Sequence, residues 1–277
     1  DRVRGLVERH HRELCRALQP QLPRYHLWVE WARVCTTAWH HTVASAKAGW
    51  ALSSPVDGAL RLEGAFPYWL PAGVRNTVAL DNLQVLTSPN ASGKSTLLRT
   101  VGAAALLGLC GLHAPAQRAA VPPYRMVYFR TASSDDASQG LSSMALELRD
   151  LRTMMRCSVP SAPSLVLTDE ICKGTSSREG SCFFAALLEW MDSRPFHAIL
   201  ATHLYEALDL PFRCRRLALV RMRVRPPETD GEPPEMAYTL EAGRCHYSMA
   251  LALARRMGLP AGLVRRQAEL ERLTMPD

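Results

Sequence analysis

Ser88-Pro89-Asn90-Ala91-Ser92-Gly93-Lys94-Ser95-Thr96 has the residue types and spacing of a phosphate cradle. Small residues let backbone N–H groups close around a phosphate, and the start of a helix adds partial positive charge. In that chemistry Lys94 reaches the β- and γ-phosphates of ATP, and the Ser95 hydroxyl holds Mg2+. The β-type run Leu83, Val85, Leu86, Thr87 precedes the loop, and the helical pattern Leu97, Leu98, Val101 follows it. Strand, small-residue loop, helix is the context such a loop requires. One position departs from the pattern GxxxxGK[ST]: Ser88 stands where the first glycine belongs.

Two further stretches offer complementary groups. Ser164 to Thr168 is a short apolar strand ending in Asp169-Glu170. A buried parallel strand would put Asp169 beside the metal, opposite Ser95, and Glu170 beside an attacking water as general base. Alone, the pair reads as solvated carboxylates at a strand end. A second apolar strand, Ala198 to Ala201, ends in Thr202-His203. A histidine there can sense the γ-phosphate, in the crevice where open α/β sheets bind ligands. A lone histidine is more simply structural; three strand-terminal elements in nucleotide-site order favour the site.

These groups need a scaffold. Residues 1 to 20 carry Val3, Leu6, Val7, Leu14 and Leu18 among charges, an amphipathic helix interrupted by Pro20 and Pro23. A second helix is expected from about His26 to Ala48, ending near Gly49 and the Ser53-Ser54-Pro55 break. Then come a β-rich opening over 60–87, the phosphate loop and helix over 88–110, and a strand near Met126 to Phe129. A helix from about Leu141 to Arg156, the strand ending at Asp169, a helix over 177–190 and the 198–201 strand follow. A hairpin over 214–223 and 235–240, joined by the proline- and acid-rich 226–234, precedes closing helices at 247–257 and 260–273. Strands alternating with helices predict an α/β fold with a mostly parallel sheet covered on both faces.

At 277 residues the chain suffices for one large α/β domain plus an extension. It begins at Asp1 with neither start methionine nor signal peptide, and reads as part of something longer. The longest apolar run, Val101 to Leu112, is too short to span a bilayer and suits the buried helix after the phosphate loop, so no membrane partner is expected. Eight cysteines include no CxxC pair. That points to a reducing compartment, with each cysteine a small buried hydrophobe and no zinc site. The net charge of +7 suits nucleic acid or an acidic partner. Arg221, Arg223 and Arg225 alternate along one strand face, which is more simply a solvated face than a DNA contact.

In these residues the chain resembles the MutS mismatch-repair ATPases, an ABC-type P-loop NTPase family. SPNASGKST is similar to the family's GPN-x-SGKST. Ser133 to Asp136, then Gln139 to Met144 and Glu147, resemble its ASDD…GQSTF…E block. Asp169 to Ser176 resembles DEIGRGTS, Ala201-Thr202-His203 resembles ATH, and Ser248 to Pro260 resembles the closing SYG…A…GLP helix. Glu63 to Trp69, Asn76 to Val78, Leu106 to Leu112 and Cys172, where most relatives have glycine, are similar to the plant and algal organellar branch.

The resemblance implies a helical segment, 1–58, that ends a lever domain, and an ATPase domain, 59–277. It implies that Ser142 reaches a partner subunit's γ-phosphate in trans, and that Gly174-Thr175-Ser176 crosses the dimer interface. Asp135, Asp136 and Asn90 would lie by the nucleotide, and Tyr238 would stack on adenine. Gly73 stands where relatives place a second stacking aromatic. Implied cofactors are ATP and Mg2+. Implied partners are a second MutS-type subunit, in a homo- or heterodimer, and mismatched or recombining double-stranded DNA held by domains upstream. The implied compartment is a mitochondrion or chloroplast, with the nucleus as alternative. The expected function is a DNA-dependent ATPase module that couples sandwich closure to clamp movement. Ser88 and Gly73 motivate an alternative, a nucleotide-dependent dimerisation module with little turnover; Glu170 speaks against it. Another P-loop enzyme is a third reading, but a kinase needs an acceptor pocket and a transporter ATPase an LSGGQ-like loop, and neither is visible.

Overall fold

The structure, a computed structural model, describes residues 2–131, 143–172, 174–225, 235–245, 251, 254–255 and 257–274. The candidates Ser142, Asp135, Asp136, Gln139, Gly140, Leu141 and Ser248, and the loop 226–234, lie outside the described residues, as does most of the helix expected over 247–257. Two compact units divide the chain, residues 1–48 and 49–277.

The first unit is helical: α1 (Arg2–Leu18), one 3-10 turn (Gln19–Gln21) and α2 (Leu22–Lys47). The expected interruption is found at Pro20, where α1 ends at Leu18 and the 3-10 turn separates it from α2; at Pro23 the expectation is corrected. The backbone stays right-handed helical at Leu18, Gln21 and Leu22, and α2 starts before Pro23. Proline disrupts a helix interior because it lacks an N–H and crowds the preceding turn. Pro23 sits in the first turn of α2, where no intrahelical N–H bond is due, and Pro20 falls in the tighter 3-10 turn.

The second unit holds the sheets. Its strands are β1 (Ala51–Leu52), β2 (Ser54–Pro55), β3 (Leu60–Ala65), β4 (Asn76–Leu80), β5 (Leu83–Thr87), β6 (His113–Ala114), β7 (Arg118–Val121), β8 (Met126–Arg130), β9 (Ser164–Asp169), β10 (Phe196–Thr202), β11 (Leu217–Arg225) and β12 (Glu235–Ala242). The main sheet has six strands in the order β12-β11-β5-β10-β9-β8, parallel except for β12, which pairs antiparallel with β11. A four-stranded sheet, β2-β7-β3-β4, and the small β1–β6 pair complete it. The short strands β1, β2, β6 and β7 were not among the expected elements; pieces of two to four residues carry too little periodicity to read.

Helices cover both faces of the main sheet: α3 (Lys94–Leu109), α4 (Ser143–Cys157) and α5 (Ser177–Asp192), with α6 (Ala261–Thr274) last in the chain. Strand alternation divides the core in two. Leu165, Leu167, Ile199 and Ala201 join α3 and the second sheet in one cluster. Leu83, Val85, Val166, Ala198 and Leu200 meet Leu151 of α4 and Phe184 of α5 in the other. A parallel strand buried on both sides reads as a continuous apolar run, which is why β5 and β9 are buried along their whole length.

Three further expectations meet the structure here. The cysteines are all free, but only Cys172 and Cys245 are buried and five are exposed, so the description of each as a buried hydrophobe is corrected. The helix after the phosphate loop is buried at its start, whereas Leu106 and Leu109 near its end are exposed. The arginine face is solvated and ion-paired: Arg221 and Arg223 share Glu241 at 2.8 and 2.7 Å, and Arg225 meets Glu235 at 3.2 Å. None of the described helices is long and apolar enough to cross a membrane.

Candidate functional site

Parallel register brings the chemistry-bearing residues to one edge of the main sheet. Thr202 of β10 lies opposite Thr87 of β5, and Ala201 opposite Asp169 of β9. The loop after β5, Asp169 and Glu170 at the end of β9, and His203 after β10 therefore emerge side by side, at the carboxyl ends where α/β sheets form ligand crevices.

The loop turns sharply into α3. Ala91 has φ 62° and Gly93 φ 94°, both left-handed. Gly93 is required twice, because a Cβ there would also stand 3.0 Å from the Tyr238 ring. The first turn of α3 opens onto the loop with backbone donors that no intrahelical carbonyl can satisfy. Lys94 is buried and its ammonium folds back on the loop, donating to the carbonyls of Ser88 (2.9 Å) and Pro89 (3.0 Å). It also lies 3.2 Å from His203 Nε2.

Ser88 is fully buried and its hydroxyl points to β11, accepting the Met222 N–H at 2.6 Å and donating to the Thr87 carbonyl. Backbone pairing between β5 and β11 ends at Thr87–Arg221, so this side chain extends the ladder by one bond. The extra atoms that distinguish serine from glycine are thus accommodated in the β5–β11 seam.

The Ser95 hydroxyl donates to Asp169 Oδ2, while Asp169 Oδ1 and the Ser92 hydroxyl are buried without a hydrogen-bond partner among the described residues. An orphaned carboxylate oxygen is costly unless something positive or protic meets it. A hard cation between Ser95 and Asp169 would satisfy it with the oxygen ligands that Mg2+ prefers. The donor set fits that ion.

Glu170 takes the left-handed φ of 58°, its N–H bound to the Ala201 carbonyl at 2.9 Å. Its carboxylate meets His203 Nε2 at 2.6 Å. Nε2 can donate to that carboxylate or accept from Lys94, not both at once. The shorter contact puts the proton on Nε2. Behind this row, Glu147 on α4 accepts the Cys172 N–H at 2.9 Å and faces Arg130 at 3.4 Å. Cys172 is itself left-handed, φ 66°, so Glu147 holds a strained turn just after Glu170. Burial, then the Glu147 charge, pushes the Cys172 thiol up to about 12, which makes it an inert group.

A cavity of about 440 Å3 adjoins the loop, within the range of small-molecule sites. Its polar end carries Asn90, Lys94, Ser95, Thr96 and Glu170; its apolar end carries Pro67, Leu70, Val74, Met222 and Tyr238. Gly73 forms part of the wall, and a Cβ there would stand 2.6 Å from Pro67 Cγ. The turn over 67–73 leaves no room for a ring at that position.

Of the sequence candidates, Lys94, Ser95, Asp169, Glu170 and His203 converge, and Asn90, Ala91, Gly93, Thr96 and Tyr238 line the cavity. Ser88 and Ser92 lie buried beside it, and Pro89 contributes a carbonyl. Three contributions escaped the sequence: the Ser88 hydroxyl on β11, Glu147 behind Glu170, and Asn76 against β12. Glu147 had one signal, its place in the block Gln139 to Glu147.

Residues 84–274 match the family model described as MutS domain V. The chain is 35% identical over 79% of its length to the mitochondrial DNA mismatch repair protein MSH1 of Arabidopsis thaliana, covering 20% of that protein. It is 31% identical over 70% to the DNA mismatch repair protein MutS of Streptococcus gordonii, covering 23%. It is 33% identical over 79% to the endonuclease MutS2 of Thermus thermophilus, covering 29%. The chain thus spans less than a third of the length of each of these relatives.

Proposed function

The chain belongs to the MutS family, and from that premise we propose that it is the ATP-binding and ATP-hydrolysing module of a MutS-like protein of mismatch repair or recombination surveillance. The observation that carries the reading is the convergence of Lys94, Ser95, Asp169, Glu170 and His203 at one sheet edge beside a cavity polar at one end and apolar at the other. On this reading the main sheet with its loop is an ABC-type P-loop fold, and residues 1–48 belong to the helical lever that leads into it.

Each residue has a task set by its surroundings. Lys94 leaves the carbonyls of Ser88 and Pro89 to meet the β- and γ-phosphates, joined by the N–H groups at the start of α3. Ser95 and Asp169 hold Mg2+, which when bound supplies positive charge to the phosphoryl group being transferred. Glu170 exchanges His203 for a water and takes its proton, and His203 is released towards the γ-phosphate. Tyr238 stacks on the base. Ser142 of a second subunit completes the site in trans, and ATP closes the dimer by favouring the closed state. A role on DNA and a mitochondrial address are proposed from likeness to the plant relative, whose name carries both; a chloroplast address rests on the family resemblance alone.

Equilibrium binding of ATP, with and without Mg2+, tests the site. Tight binding that strengthens with Mg2+ and is lost in Lys94→Ala is expected. Equal binding by Lys94→Ala and the parent would overturn the reading. The alternative of a dimerisation module with little turnover is weakened by the Ser88 geometry, since its hydroxyl bonds to β11.

A further inference from the structure

Tyr238 stands at a fault in the β11–β12 ladder. Met222 pairs with Leu240 and Val224 with Met236, so Arg223 alone faces Ala237, Tyr238 and Thr239. A bulge of this kind re-aims a side chain and strips backbone groups of their ladder partners. Here the partners come from the other sheet. Asn76, the first residue of β4, donates from Nδ2 to the Tyr238 carbonyl at 3.0 Å, and its Oδ1 accepts the Leu240 N–H at 2.7 Å. The Leu240 N–H can only donate, which fixes which end of the amide faces which group.

The clamp has something to hold. Tyr238 adopts φ 54°, a conformation that a bulky residue keeps only when its surroundings impose it. The ring so presented packs over Gly93 of the phosphate loop and closes the apolar end of the cavity. Both ends of the Asn76 amide are engaged, and Nδ2 also lies 3.5 Å from the Val74 carbonyl. The amide is therefore not left to read a base edge.

We propose that Asn76 is a positioning residue for the base of the bound nucleotide: it clamps the β12 bulge so that Tyr238 stacks on that base. This rests on the reading of the cavity as a nucleotide site. Asn76 touches neither phosphates nor base; it acts through the tyrosine.

The test compares binding of ATP and of inorganic tripolyphosphate, which has no base, to the full chain and to Asn76→Ala, Tyr238→Ala and the double variant. Loss of one stacking contact weakens base-dependent binding by about 5- to 100-fold. We expect a loss of that order for ATP in each single variant, no further loss in the double, and unchanged tripolyphosphate binding throughout. Asn76→Asp keeps the acceptor for Leu240 but loses the donor for Tyr238. It guards against misfolding of the alanine variant, and its ATP-to-tripolyphosphate affinity ratio should also fall. An unchanged ratio in the Asn76 variants, or losses that multiply in the double, would overturn the clamp. So would a parent that binds ATP no better than tripolyphosphate, although the phosphate site would then survive. A parent that binds neither overturns the nucleotide reading and the clamp with it.

Discussion

The hydroxyl of Ser88 completes the seam between β5 and β11, and that makes it a stability residue at an address reserved for phosphate chemistry. In Ser88→Ala the buried Met222 N–H loses its acceptor, at a cost of about 1–3 kcal/mol. Urea unfolding should show that loss while ATP affinity is unchanged; a variant as stable as the parent would contradict the assignment. His197 offers a pH test. Burial pushes its imidazole below the ordinary 6.5, and the Tyr124 hydroxyl is hydrogen-bonded to Nδ1 at 2.8 Å. The unfolded chain binds a proton that the native ring resists, so stability falls as pH drops below about 6.5. His197→Gln should flatten the dependence of the unfolding midpoint on pH between about 5 and 7, and an unchanged slope would refute it. At this scale, the convergence of Lys94, Ser95, Asp169 and Glu170 was legible because their types and spacing match what the proposed phosphate chemistry demands. Asn76 was not, because its partners lie 162 and 164 residues away and only the bulge register creates the need.

Elements were legible where their patterns are long. β9 and β10 are buried from end to end around apolar centres because both faces are covered, and α5 begins with Ser176 as N-cap, its hydroxyl accepting the Glu179 N–H at 3.4 Å. Phe184 on α5 is fully buried in the cluster with Leu83, Val166 and Leu200. Phe184→Ala should cost about 3–5 kcal/mol in urea unfolding; a loss below about 1 kcal/mol would mean that α5 does not pack on that face. Proline misled the reading at α2, since position within a helix decides whether a missing N–H matters. Cysteine misled it too: five of the eight are exposed, because residue type alone says little about burial on helices whose neighbours are unknown.

For the whole molecule, both buried clusters begin at Leu60 or later. A chain trimmed to residues 49–277 should therefore unfold cooperatively, with urea dependence in keeping with its size; a broad, non-cooperative transition would contradict the independence of that core. The proposed site is a composite ATPase, with Glu170 of one chain as base and Ser142 arriving from another. Steady-state ATP turnover against protein concentration, for the parent and Glu170→Ala, tests it most directly. We expect turnover that rises faster than linearly with concentration and is abolished in Glu170→Ala, although that variant still binds ATP. Turnover in Glu170→Ala equal to that of the parent would contradict it.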